Sequence, residues 1–248
     1  MHARTPLVLA CMITGGRGRG EGVGSVSSAD VLPQPSPRSP ARIVVLVSGA
    51  GTLLQSLLDA AAEPDPAFSV AGVVADRPDA FGLQRAREAG VPTATVRPKD
   101  FPDRVTWDLA VTKAVDVFGP DLVVLAGFMR LLGAPFLDRF GGRTLNTHPA
   151  LLPAFPGAQA VRAALVYGVK VTGCTVMLID DGTDTGPVLA QQAVPVGPDD
   201  DEAALHERIK VAERALLVDV VTRMCRNGWQ VDGRRASIDG RQVPVDRG

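Results

Sequence analysis

The run Ile43-Val44-Val45-Leu46-Val47, closed by Ser48-Gly49-Ala50-Gly51, constrains the fold more than any other stretch. It shows no polar alternation, so it suits a strand buried on both faces, as in a parallel sheet flanked by helices. A glycine-containing turn then leads into a helical pattern over residues 52 to 62. The same alternation continues downstream. "FSVAGVVAD" reads as a strand, "AFGLQRAREAG" as a helix stopped at Gly90, and "PTATV" as a third strand. A helix over 104 to 118 precedes the strand "DLVVLAG", and "TLNTH" is a short strand beyond it. "VTGCTVMLI" and "PVLAQQAVPV" make a later pair, and a closing helix over 201 to 227 places Leu205, Ile209, Leu216 and Val220 toward the sheet. The pattern predicts a single α/β domain, an open doubly wound and mostly parallel sheet with helices on both faces. Ligands of such a sheet collect outside the carboxyl ends of its strands.

The ends of the chain differ from this middle. Residues 1 to 41 carry six glycines between Gly15 and Gly24 and prolines at 33, 35, 37 and 40, a composition that cannot bury enough apolar surface to offset ordering entropy. We expect a disordered extension over 1–41, a folded domain over 42–228 and a C-terminal tail over 229–248. The opening "MHARTPLVLACMI" has too short an apolar stretch, interrupted by Pro6, for a secretion signal. No run reaches the length of a membrane helix. A net charge of −1 argues against nucleic acid as a partner. Cys11, Cys174 and Cys225 are odd in number and far apart, which fits a reducing cytoplasm better than a disulfide framework. His2, His148 and His206 show no ligand spacing, so no metal is expected.

Several motifs carry chemistry. In "SGAGTLLQ" the glycines allow close backbone approach, and the N–H groups of Gly51, Thr52 and Leu53 point toward an anion favoured by the helix dipole. No Gly-Lys-Ser/Thr follows, and Leu54 stands where a dinucleotide fingerprint has its third glycine. A turn that needs glycine for backbone reasons alone is the alternative account of this motif in isolation. In "TLNTH" the strand period puts Asn146 and His148 on one face and Thr147 on the other. A carboxamide donor and a histidine side by side suit an oxyanion that collapses with proton transfer, although an isolated histidine is more often structural. "DDGTDTGP" (180–187) is either a solvated turn or a source of one carboxylate for His148, with Asp184 the choice. "AGFMRLL" (126–132) suits the wall of a pocket for a flat ligand. His206, Lys210 and Glu213 share a flank of the closing helix and by themselves suggest a solvated face.

Together "VVLVSGAGTLLQ", "AGFMRLL", "LNTHPALLPAFPG" and "DDGTDTGPV", in this order over residues 42 to 227, resemble the folate-dependent glycinamide ribonucleotide formyltransferases. The resemblance implies transfer of a formyl group from 10-formyltetrahydrofolate, as co-substrate, to the amine of 5-phosphoribosylglycinamide in purine biosynthesis. It implies that Asn146 holds the formyl oxygen, that His148 donates the proton, and that Asp184 partners His148 and helps order a water. Gly51, Thr52 and Leu53 match the phosphate cradle, with Leu53 in place of a common asparagine. Lys210 and Glu213 match positions near the phosphate and ribose, which overrides the solvated-face reading for those two and leaves His206 with it. Arg104, Met129, Arg130, Leu131 and Leu132 match the folate side, with Asp180, Asp181, Gly182, Thr183 and Asp184 as the loop around the pterin. The expected partners are these small molecules only, with no nucleic acid or membrane, and the chain is expected to be a monomer or a homodimer.

The mechanism implied is direct attack within a ternary complex. Formyl transfer to a tRNA and hydrolysis of the folate both belong to relatives with an extra domain, for which this chain has no room. A different class, an NAD(P)-dependent oxidoreductase, draws support from Asp76 and Arg77 at the end of the second strand, where a ribose and its 2′-phosphate are read. Leu54 and the Asn146/His148 pair speak against it. A non-catalytic module that binds a phosphate ligand is the third reading.

Overall fold

The structure is a computed structural model and describes residues 40 to 238. The elements follow the expected alternation, β1 (Ala41–Val47), α1 (Thr52–Ala61), β2 (Phe68–Ala75), α2 (Phe81–Glu88), β3 (Thr93–Thr95), α3 (Arg104–Asp116), β4 (Leu122–Leu125), α4 (Ala134–Phe140) and β5 (Thr144–His148). They continue with α5 (Ala160–Tyr167), β6 (Val171–Leu178), β7 (Val188–Pro195), α6 (Glu202–Asn227), β8 (Trp229–Asp232) and β9 (Arg235–Ile238). Strand order in the sheet is β3-β2-β1-β4-β5-β6-β7-β9-β8.

β1 is central and fully sandwiched. Ile43, Val45 and Val47 pack with Leu54 and Leu57 of α1, Leu83 of α2 and Leu217, Val220 and Met224 of α6. Val44 and Leu46 face the other layer, with Trp107 and Val111 of α3 and Phe136 and Phe140 of α4. An uninterrupted aliphatic run is what two apolar layers demand of the strand between them. A smaller cluster joins Val161 of α5 and Cys174 of β6 to Leu205 and Ile209 of α6.

Two features depart from the sequence reading. β1 to β5 are parallel, but β6 runs antiparallel to β5, with Leu145 opposite Leu178 and His148 opposite Thr175. The carboxyl end of β6 therefore lies beside the start of β5, away from the edge where the parallel strands end. Hydrophobic runs report burial and not strand direction, so the sequence pattern did not reveal this reversal. The segment read as a tail also behaves differently as far as Ile238. β8 and β9 form an antiparallel hairpin that extends the sheet past β7, and Trp229 Nε1 donates to the Gly142 carbonyl at 2.8 Å. The extension expected over 1–41 lies outside the described residues except for its last two positions, where Ala41 already begins β1.

Candidate active site

Three local devices bring the site together. First, the turn after β1 places Gly51 in the left-handed region (φ 68°) as the residue preceding α1. A Cβ there would sit 2.6 Å from Gly82 Cα, so both conformation and space demand glycine. The N–H groups of the first turn of α1 have no intrahelical acceptor, which is the general feature by which helix N-termini bind anions. Thr52 is exposed there, whereas the Leu53 side chain turns into the core, which leaves only its backbone for a ligand. Second, the Ser48 Oγ accepts from Met129 N at 2.9 Å, and Ser48 N donates to the Gly127 carbonyl at 3.3 Å. These bonds fix the segment after β4 against the end of β1. Third, Thr175 of β6 donates to the Ala150 carbonyl and accepts from Leu152 N, at 2.7 and 3.1 Å. Gln191 of β7 adds a bond from its Nε2 to the Leu152 carbonyl at 2.8 Å, so the stretch after His148 is anchored on two strands.

A cleft of about 360 Å³ lies among these parts, lined by residues 127 to 132, Asn146, His148, residues 177 to 186 and His206. That volume falls in the range of small-molecule sites. Asn146 and His148 both line it, as the strand period predicts. Thr147 reaches its rim and also hydrogen-bonds Glu213 of α6.

His148 is buried, with 5 % of its side chain exposed, and Asp184 has 10 %. The Nδ1 atom of His148 lies 3.3 Å from Asp184 Oδ2, and Nε2 lies 2.8 Å from the Phe155 carbonyl oxygen. Both neighbours are acceptors, so the ring satisfies both only when both nitrogens carry hydrogen. Asp184 Oδ2 also accepts from Gly157 N at 2.8 Å, which ties the carboxylate to the loop beyond His148. Asp184 (φ 55°) and Phe155 (φ 53°) both adopt left-handed backbone, and Phe155 is further held edge-on by Tyr167 at 5.9 Å. Non-glycine residues in that region concentrate at functional sites, where the surroundings hold them. Because β6 is antiparallel, the loop carrying Asp184 starts near Thr144, where Ile179 N bonds the Thr144 carbonyl, and doubles back over the face of β5 to His148.

The other expected residues sort into three groups. Met129, Arg130, Leu131 and Leu132 line the cleft, as do residues 180 to 184. Asp180 shapes its own loop by accepting from Gly182 N and the Thr185 hydroxyl, at 3.1 and 2.7 Å. Gly51, Thr52 and Leu53 lie outside the cleft lining, at the neighbouring strand end. Lys210 pairs with Glu207 at 2.8 Å. Glu213 is buried behind Thr147, and burial raises its pKa against a smaller opposing effect of the Thr147 bond. Arg104 does not line the cleft. It pairs with Asp108 at 3.2 Å and lies over the Trp107 ring, which in turn stacks on Phe128.

His206, read from the sequence as part of a solvated face, lines the cleft instead. Burial lowers its pKa, and the Lys210 charge adds to that effect. The signal was present in the helix. Leu205, Ile209, Glu213, Leu217 and Val220 are the buried stripe of α6, so a carboxylate occupies a core position one to two turns beyond His206. A larger hollow of about 680 Å³ lies between β7 and α6, but its lining is aliphatic apart from Gln192, Arg208 and Asp219. It holds none of this constellation. Among the described residues no cluster of His, Cys, Asp and Glu is arranged to hold a metal, and no helix is long and apolar enough to cross a membrane.

The sequence matches the formyl transferase family model over residues 41–221. The chain belongs to that family. It is 59 % identical over 209 residues to the phosphoribosylglycinamide formyltransferase of Mycobacterium tuberculosis, covering 84 % of this chain and 96 % of the relative. The Escherichia coli enzyme of the same name is 39 % identical over 208 residues, covering 82 % and 95 %. The crystal structure of glycinamide ribonucleotide transformylase 1 from Symbiobacterium toebii superposes with a TM-score of 0.78 at 43 % identity, covering 86 % of this chain and 99 % of that one.

Proposed function

We propose that this member of the family transfers the formyl group of 10-formyltetrahydrofolate to the amine of 5-phosphoribosylglycinamide. The observation that carries the reading is Asn146 and His148 side by side on β5, with Asp184 brought back over them. The neutral glycinamide nitrogen attacks the formyl carbon, and the carbonyl oxygen becomes an oxyanion held by the Asn146 carboxamide and the His148 ring. The ring exchanges the Phe155 carbonyl for that oxygen, while Asp184 keeps its charge balanced. Collapse re-forms the carbonyl and breaks the bond from carbon to N10. The attacking nitrogen loses a proton and N10 gains one, relayed through His148, Asp184 and water. No covalent bond to the protein forms.

The substrate phosphate sits on the backbone of Gly51, Thr52 and Leu53, with Lys210 as its cation and Glu213 toward the ribose. The folate occupies the cleft between residues 129 to 132 and 180 to 184. Arg104 contributes through Trp107 and Phe128 at the cleft wall. We place the enzyme in the cytoplasm as a monomer or homodimer. Phosphoribosylglycinamide-dependent release of tetrahydrofolate, followed by absorbance, tests the reaction. Turnover that persists at the wild-type rate in both His148→Ala and Asn146→Ala would remove these residues from the mechanism.

A further inference from the structure

Asp76 follows the last residue of β2 and is 4 % exposed. Its Oδ2 accepts from Arg130 Nε at 2.8 Å, and its Oδ1 is buried with no hydrogen-bond partner among the described residues. Arg130 lines the cleft with half of its side chain exposed. Two aspects of this pair are out of the ordinary. A buried carboxylate usually accepts several hydrogen bonds, and here a single one balances the charge. Arginine usually meets a carboxylate as a fork, through two parallel N–H bonds, and here only Nε engages. The single-point hold leaves both Nη amino groups for another anion. The backbone is fixed independently, since the adjacent Met129 N donates to Ser48 of β1's turn at 2.9 Å. Arg77, the other cation near Asp76, is occupied by Asp79 at 2.7 Å. Asp76 is thus engaged with the cleft wall.

We propose that Asp76 is a positioning residue, which grips Arg130 by Nε and turns the Nη groups of the guanidinium toward a carboxylate of the folate co-substrate. This rests on the cleft being the folate site. The charge of Asp76, without a second partner, restricts Arg130 to orientations that keep Nε on Oδ2. Arg130 meets the ligand with its rotamer already selected, and the ordering cost of a long side chain does not fall on binding.

The test is steady-state kinetics with each substrate varied in turn, on Asp76→Asn, Arg130→Lys, Arg130→Met and the double variant Asp76→Asn with Arg130→Met. Asp76→Asn is expected to raise KM for 10-formyltetrahydrofolate about tenfold, with kcat and KM for phosphoribosylglycinamide within about twofold. Arg130→Lys keeps a cation near Asp76 and so keeps the fold, but lacks the guanidinium fork, and shows the same selective rise. The double variant is no worse than Arg130→Met. An unchanged folate KM in Asp76→Asn, with Arg130→Met impaired, overturns the positioning role. A parallel rise in both KM values, or an added defect in the double variant, overturns it too. Wild-type folate KM in all four would remove the cleft itself as the folate site.

Discussion

Asp184→Asn isolates the contribution of one negative charge. The left-handed backbone at this position (φ 55°) is tolerated by asparagine as well as by aspartate, and the amide oxygen still accepts from Gly157 N. Geometry is thereby retained while the charge opposite His148 is lost. The two side chains are 3.3 Å apart and 90 % or more shielded. Two unit charges at such a distance attract by about 5 kcal/mol gross at an effective dielectric of ~20. Net values for hydrogen bonds to charged groups run to about 1.5–3 kcal/mol, because desolvation offsets the rest. If about 2–3 kcal/mol is expressed when the ring is cationic and the oxyanion is formed, kcat falls roughly 30- to 160-fold. The assay is tetrahydrofolate release by absorbance with both substrates saturating, alongside a thermal melt. Asp184→Ala should show the same loss of turnover and, in addition, about 1–2 kcal/mol lower stability, since alanine fits the left-handed region poorly. A kcat for Asp184→Asn within about threefold of wild type, a change below ~0.7 kcal/mol, would refute the pairing of Asp184 with the chemistry.

Other outcomes follow from burial and backbone geometry. Gly51→Ala forces a Cβ to 2.6 Å from Gly82 Cα at φ 68°, and should lower the unfolding free energy measured in urea by more than the ~1–2 kcal/mol of the backbone effect alone. Glu213 has its pKa raised by burial, so its stabilising contribution is complete below the ordinary glutamate range and is lost as pH rises through the raised value. Glu213→Gln should therefore gain stability relative to wild type as pH rises above that range, and a difference in urea midpoints that stays flat with pH would contradict it. Burial pushes the thiols of Cys174 and Cys225 up to about 12. Peptide mass spectrometry should find neither alkylated by iodoacetamide in the native protein near neutral pH, and both alkylated after unfolding.

The layers of the fold were legible because β1, β2 and β4 carry the composition that two-sided burial requires. Asn146 and His148 could be placed on one face from the strand period alone, and the Gly51 turn from its sequence. What stayed hidden depended on contacts between distant residues. The reversal at β6 leaves no mark in a hydrophobic run, so the route of the Asp184 loop could not be traced. His206 was passed over because the acid Glu213, a signal on the same helix, reads as solvent-facing in a sequence although it lies in the buried stripe of α6. The single bond between Asp76 and Arg130 joins residues 54 positions apart, and the sequence offered a different use for Asp76.

The doubling back of the loop between β6 and β7 makes its length a ruler. Ile179 is fixed to Thr144 and Val188 to Met177, so the length of chain between them limits how far Asp184 reaches. Removing one residue shortens the contour by about 3.3 Å and draws the tip back by roughly half of that, enough to open the contact with His148. Such a shortened chain would keep Asn146, His148 and Asp184 and still lose the pair, so the proposed chemistry depends on the spacing of the hairpin.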